Sequence, residues 1–320
     1  RLCGSGLDAV AHAARALLLG EGDVYLAGGV ESMSRAPWVL PKTERPFPTG
    51  PSTLYDTTLG WRMTNPRMET LGHTDPLGVT AEHLAVGQHL DSAGRISRAD
   101  QDRFALASHQ KALRATDEGR FADELVPVTV AARKGETVVT ADEGPRRDTS
   151  LEQLAALKPA FQKNGTVTAG NSSSLNDGAA ALLLVSKDYA LALGLQPLAT
   201  VRSMAVAGVP PRWMGIGPLP ATAKALQRAG LALANIGLIE LNEAFAAQSL
   251  AVLRAWSLAD DDERVNVNGG AIALGHPLGC SGARILTTLV HEMRRRGTQF
   301  GLATMCIGVG QGIAVILERV

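Results

Sequence analysis

The sequence predicts an α/β protein of two related halves with layered, mostly parallel sheets and a long inserted loop domain. Three observations predict it. Short apolar runs that read as buried strands alternate with stretches of helical periodicity. One unit of loop, helix, strand and glycine turn occurs near both ends of the chain. Between the two copies lies a stretch rich in Pro, Thr, Gly and Arg with little periodicity.

The first unit opens at Cys3-Gly4-Ser5-Gly6, followed by Leu7, Val10, Ala11, Ala14, Leu17 and Leu18 at helical spacing. Ser5 is the expected N-cap and Gly20 the expected stop. Residues 24–27 read as a short buried strand running into a turn at Gly28-Gly29. Residues 37–76 are the irregular stretch; a long irregular insertion in a compact protein is usually functional or disordered, and here a lid or substrate subdomain is expected. Helices are expected over 81–89 and 99–119, then a strand pair within 125–139. After Thr166 the alternation resumes, with strands at 180–185, 199–205 and 237–241 and helices at 221–229 and 244–256. The second unit follows. Gly279-Cys280-Ser281-Gly282 precedes a helix bearing Ile285, Leu286, Leu289, Val290 and Met293, closed by Gly297. A strand at 301–305 runs into Cys306-Ile307-Gly308, and a final strand covers 313–318.

Strands alternating with helices argue for mostly parallel sheets covered on both faces. Serine–glycine helix starts also recur by chance, but here a strand and a turn fall in step with them, which favours an internal duplication. The expected organisation is residues 1–35 with 166–186 as the first half, 36–165 as the insertion, and 187–320 as the second half.

Composition narrows the function classes. The chain has 320 residues, 45% hydrophobic and 19% charged, with 31 Lys+Arg against 31 Asp+Glu, which is ordinary globular composition. Balanced charge provides no field to steer a polyanion, so nucleic-acid binding has no support. Apolar runs such as 179–185 are far too short to span a membrane. Cys3, Cys280 and Cys306 match neither a disulfide framework nor a zinc spacing, and free thiols suit a reducing, cytoplasmic setting.

Cys3 stands just before a helix, where free backbone N–H groups and the helix dipole favour an anion. An ordinary thiol is only about 3% thiolate at pH 7, so a helix start and a nearby base would matter. A buried structural cysteine is the competing reading. His276 is the one titratable group in the glycine-rich segment 268–279, a composition that lets backbone approach another group closely; a satisfied loop histidine competes. Cys306 lies in a second glycine-dense turn after a buried strand. Asn242 and Glu243 follow the strand at 237–241, at a strand's C-terminal end where α/β sites form, although Glu243 reads more simply as a solvated helix-start acid.

Together these segments resemble the thiolases. The resemblance rests on Leu2-Cys3-Gly4-Ser5-Gly6-Leu7, Ala27-Gly28-Gly29-Val30-Glu31-Ser32-Met33-Ser34, Asn242-Glu243-Ala244-Phe245-Ala246-Ala247-Gln248, residues 269–284, and Cys306-Ile307-Gly308. It runs over essentially the whole chain in the family's order. Residues 55–62 and the 306–312 ending are most similar to 3-oxoadipyl-CoA thiolases of aromatic catabolism. The resemblance implies cleavage of a 3-oxoacyl-CoA, or the reverse Claisen condensation, through a cysteine acyl-enzyme. Coenzyme A would be a substrate, with no further cofactor and no metal. Cys3 would be the nucleophile. His276 would take its proton and help bind the developing oxyanion, and Cys306 would act as acid and base at carbon. Asn242 would hold a water at one oxyanion site, and the N–H groups of Cys3 and Gly308 would form the other. Leu77, Ser173, Ala244 and Phe245 would line the pantetheine channel, and Arg146 would stand near the nucleotide, with a solvated loop arginine as the competing reading. Arg62 is the nearest cation in the distinguishing segment for a terminal carboxylate. A homodimer or homotetramer is implied as well.

Several positions depart from the family pattern. Pro76 stands where many acetoacetyl-type relatives carry histidine, Ser172 and Ser174 where small residues are usual, and Val267 where proline is common. Family members also carry a sizeable segment before the nucleophile, so the natural protein is expected to extend N-terminally. The readings set against this one are an acetyl-CoA C-acetyltransferase or general 3-ketoacyl-CoA thiolase, a ketosynthase-type condensing enzyme, and an inactive CoA-binding or oligomerisation fragment. The ketosynthase type lacks a second cysteine like Cys306.

Overall fold

In the computed structural model, which describes residues 1–87, 94–133 and 135–320, a 3₁₀ turn over Leu2–Gly4 runs directly into α1 (Ser5–Leu18). Gly4 is the N-cap; the expected cap, Ser5, lies one residue inside and donates its hydroxyl to Leu2 O at 2.7 Å. Gly20, at φ 71°, ends the helix in the left-handed conformation that glycine adopts without strain. β1 (Val24–Ser32) continues through Gly28-Gly29 rather than turning there. Both glycines sit where other backbone passes close by. A Cβ on Gly28 would lie 2.3 Å from Ala180 O, and one on Gly29 1.9 Å from Gly279 O.

The insertion carries a small antiparallel pair, β2 (Trp38–Val39) with β3 (Tyr55–Asp56), then α2 (Pro66–Thr70) and α3 (Leu77–Ala85). Residues 88 and 89, the end of the expected 81–89 helix, lie outside the described residues. α4 (Arg98–Asp117) starts with a capping box in which Ser97 and Asp100 satisfy each other's backbone N–H groups. The hairpin β4 (Val128–Ala132) with β5 (Gly135–Val139) and α5 (Leu151–Ala156) complete the insertion.

β6 (Asp177–Val185) pairs with β1, and α6 (Lys187–Ala192) leads to β7 (Ala199–Gly208). After a 3₁₀ turn over Pro211–Ile216 come α7 (Pro218–Ala229), β8 (Leu238–Leu241), α8 (Ala246–Ala255), α9 (Ala271–Leu274), α10 (Leu278–Arg296), β9 (Phe300–Ile307) and β10 (Gln311–Arg319). The order in the second sheet is β7-β10-β9-β8.

The alternation of helices and strands holds, but the sheets are not mostly parallel. Among the described strands only β8 and β9 run parallel; β1–β6, β7–β10 and β9–β10 are antiparallel. The connections explain this. β9 and β10 are joined by residues 308–310, a turn too short for a crossover, whereas β8 reaches β9 only after three helices.

The two halves meet helix against helix. A Cβ on Gly6 would lie 2.7 Å from Ala283 N, and one on Gly282 2.3 Å from Leu7 N, so α1 and α10 touch backbone to backbone. These glycines occupy matching places in the repeated Ser–Gly segments. Leu7, Val10 and Ala14 of α1 share one buried cluster with Ile285, Leu286, Leu289 and Met293 of α10 and with Met305, Ile307, Ile313 and Val315 of the sheet. Burying each large side chain contributes about 1.5–3 kcal/mol, so this seam is a main source of stability. Among the described residues no helix is long and apolar enough to cross a membrane.

Candidate active site

Cys3 is buried in the 3₁₀ turn before α1. Burial pushes its thiol above the ordinary value; the N–H groups of Gly308 and of Cys3 itself pull it partly back, and Glu31 pushes it up further. The expected helix-start effect is therefore outweighed by desolvation. The resting sulfur is a thiol with two N–H donors directed at it.

His276 follows Gly275, whose φ of 94° only glycine adopts easily. The imidazole is buried and its pKa is held down at about 4, by desolvation first and by the charge of Arg284 second, so it is neutral at pH 7. Ser281 Oγ lies 2.6 Å from Nδ1 and donates to Pro277 O at 3.0 Å. Its single proton being so used, the serine accepts from Nδ1–H, which leaves the lone pair on Nε2. Asn242 Nδ2 reaches Nε2 at 3.4 Å, and Asn242 Oδ1 is buried with no hydrogen-bond partner among the described residues.

Cys306 is the penultimate residue of β9 and is buried; burial, then the neighbouring Cys3, push its thiol up strongly. The sheet thus delivers Cys306 and, two residues on, the Gly308 N–H to the start of α1. The turn at 308–310 needs φ 68° at Val309 and 86° at Gly310, which keeps Gly308 facing Cys3. Two buried sulfurs thus lie close together, and a buried neutral imidazole stands beside Asn242. Groups of these kinds can form a thioester and move a proton at carbon beside a pair of oxyanion donors.

An apolar cluster surrounds Cys306: Ala81, Val167, Met214, Ala244, Phe245 and Ala247, with Leu77 packed against it. Leu77 also lies against Gly308, where a Cβ would be 3.8 Å from its Cδ2. Ser173 donates both its N–H and its hydroxyl to Ala244 O, each at 3.1 Å. The structure therefore brings together Leu77, Ser173, Ala244 and Phe245 of the expected pantetheine set. Arg62 instead donates to Gly60 O within its own turn, and the N–H of the exposed Arg146 donates to His109 Nδ1. Among the described residues, neither side chain forms a hydrogen bond or ion pair with Cys3, His276, Asn242 or Cys306.

Residues 1–188 match the thiolase N-terminal domain family and residues 195–319 the thiolase C-terminal domain family. The chain belongs to the thiolase family. All of it aligns, at 55% identity over 320 residues, with 78% of the beta-ketoadipyl-CoA thiolase of Pseudomonas aeruginosa. Among solved structures it resembles the Bacillus anthracis acetyl-CoA acetyltransferase, with TM-score 0.91 and 44% identity over the whole chain and 78% of that one. It also resembles human mitochondrial 3-ketoacyl-CoA thiolase in complex with CoA, with TM-score 0.89 and 43% identity over the whole chain and 76% of that one.

Three supports of the candidate site in this thiolase escaped the sequence reading. Glu243 is not a solvated acid. It is buried and accepts from Ser108 Oγ at 2.7 Å, Asn266 Nδ2 at 2.8 Å and Ile272 N at 3.1 Å, which fixes the segment leading to His276. Asn176 Oδ1 accepts from His276 N at 3.3 Å, and Glu31 Oε2 accepts from Gly279 N at 2.8 Å at the start of α10. A signal for Glu243 was present: Gly270 leaves no room for a Cβ, which would fall 2.1 Å from that carboxyl carbon.

Proposed function

We propose that this thiolase cleaves 3-oxoadipyl-CoA with coenzyme A to give succinyl-CoA and acetyl-CoA, and runs the reverse condensation on the same groups. The observation that carries the mechanism is that buried Cys3, with the Gly308 N–H directed at it, lies near enough to buried Cys306 to push that thiol up, while the buried, neutral His276 is held beside Asn242. The substrate rests on 55% identity to the Pseudomonas aeruginosa relative.

Cys3 sulfur adds to the C3 ketone as its proton passes to His276 Nε2, and the N–H groups of Cys3 and Gly308 take the oxyanion. Because Cys3 is held up and His276 held down, proton transfer accompanies attack rather than preceding it. The C2–C3 bond then breaks. Its electron pair leaves as the enolate of acetyl-CoA, whose oxygen sits by His276 and a water on Asn242 Oδ1, and Cys306 protonates C2. Coenzyme A next attacks the succinyl-Cys3 thioester, Cys306 taking the thiol proton, and releases succinyl-CoA. Leu77, Ser173, Ala244 and Phe245 line the path of the pantetheine arm. Assembly as a homodimer or homotetramer in the cytoplasm belongs to the same proposal, supported by apolar side chains such as Phe47, 94% exposed on the inserted arm.

Cys306→Ala separates the steps. It should still become acylated on Cys3, read by intact mass and peptide mapping. Exchange of solvent deuterium into acetyl-CoA should fall by about 10²–10⁴-fold, the usual contribution of one general base. Exchange at the wild-type rate would remove Cys306 from that role.

A further inference from the structure

The acyl group left on Cys3 by the proposed substrate ends in a carboxylate, three carbon–carbon bonds from the thioester carbon. A cation within reach of the site would hold that carboxylate, and two segments leaving the apolar cluster around Cys306 converge on one. The first runs from Met214, buried in the cluster, back to Arg212 in the Pro211–Ile216 turn. The second runs from Leu77, which lies against Gly308, back through Pro76 to Asp75. There Arg212 Nε donates to Asp75 Oδ2 at 3.4 Å, and His83 Nε2 lies 3.1 Å from the same oxygen. Buried Trp213 packs edge-to-face on the His83 ring at 5.7 Å, which steadies the turn against α3.

The arrangement leaves the guanidinium available. Asp75 engages it on the Nε side, its Nη groups make no hydrogen bond among the described residues, and the side chain is 51% exposed. An arginine oriented in this way can present a two-pronged donor set to a second carboxylate. Arg284, by contrast, faces the buried Glu240. Within the cluster, Ala244 is tied to Ser173 on the pantetheine path, whereas Met214 belongs to a separate turn.

We propose that Arg212, oriented by Asp75 and backed by His83, binds the distal carboxylate of the acyl chain and sets the preference for a dicarboxylic 3-oxoacyl-CoA. This rests on the 3-oxoadipyl reading above. The test is steady-state thiolysis of 3-oxoadipyl-CoA and acetoacetyl-CoA by the wild type, Arg212→Ala, Arg212→Lys and Arg62→Ala. Arg212→Ala should lower kcat/KM for 3-oxoadipyl-CoA by about 10- to 100-fold, mostly through KM, the range of one charge-assisted hydrogen bond. Its kcat/KM for acetoacetyl-CoA should stay within about twofold, and Arg212→Lys should recover part of the loss. Equal losses on both substrates, or a selective loss in Arg62→Ala instead, would overturn the assignment. A wild type without preference for 3-oxoadipyl-CoA would overturn the substrate reading itself, and this inference with it.

Discussion

At the scale of single residues, the site depends on which imidazole nitrogen carries the proton. In the proposed mechanism a Cys3 proton can be received only at a bare Nε2, and Ser281 secures that form by accepting from Nδ1–H while donating to Pro277 O. Leaving a buried N–H unpaired costs about 1–3 kcal/mol, equivalent to about 5- to 160-fold in rate if it is felt in the transition state. Ser281→Ala should therefore lose activity within that range while keeping its fold. Ser281→Thr, which keeps the hydroxyl, should regain most of it. Activity of Ser281→Ala at the wild-type level would show that the ring is held by Asn242 and packing alone. Glu243 carries the same lesson. Its buried carboxyl group accepts from three protein donors, and those bonds set the path of the chain into His276.

At the scale of elements, α1 follows Cys3 and α10 follows the His276 turn, so the contact between the two helices sets the distance between the proposed nucleophile and the proposed base. That contact is closest at Gly6 and Gly282. Gly282→Ala would place a methyl group 2.3 Å from Leu7 N, which is main chain and cannot rotate away. The helices must separate, and overpacking of this kind costs about 1–3 kcal/mol or more. Thermal unfolding should show the loss, and activity should fall with it because the pair moves apart. Cys280→Ala, two residues earlier and outside the chemistry, should retain near-normal turnover; a larger loss of activity there than in Gly282→Ala would contradict this account.

At the scale of the whole molecule, buried ionisable groups set how stability depends on pH. Desolvation raises Glu240 from 4.5 to about 8, the charge of Arg284 opposing it, so the folded state holds a proton that the unfolded state releases across that window. Stability therefore falls as pH rises through it. His276 acts in the opposite sense. Lowered from 6.5 to about 4, it adds stability as pH rises across that interval and contributes no slope above it. The net expectation is a fall in unfolding free energy between about pH 6.5 and 8, measured by urea denaturation. Glu240→Gln should reduce that slope. Glu124, raised to about 7 mainly by burial, remains in the variant and keeps part of it. An unchanged slope in Glu240→Gln would show that the carboxyl is ionised in the folded protein.

The sequence alone determined the helices after Cys3 and Gly279, most of the longer strands, the glycine stops at Gly20 and Gly297, and the family. Each is written in neighbouring residues: apolar spacing along one helix face, a glycine where φ is positive, a motif read in order. Only the tertiary structure decided what depends on residues far apart in the chain. Strand direction was misjudged because pairing follows the length and path of each connection, which local periodicity does not record. The raised Cys3 thiol and the lowered His276 follow from desolvation by segments of both halves, a cost that no short window contains. Arg212 and Asp75 lie 137 positions apart, and nothing near either one announces the other. They meet because the turn before α7 and the start of α3 both pack around Cys306.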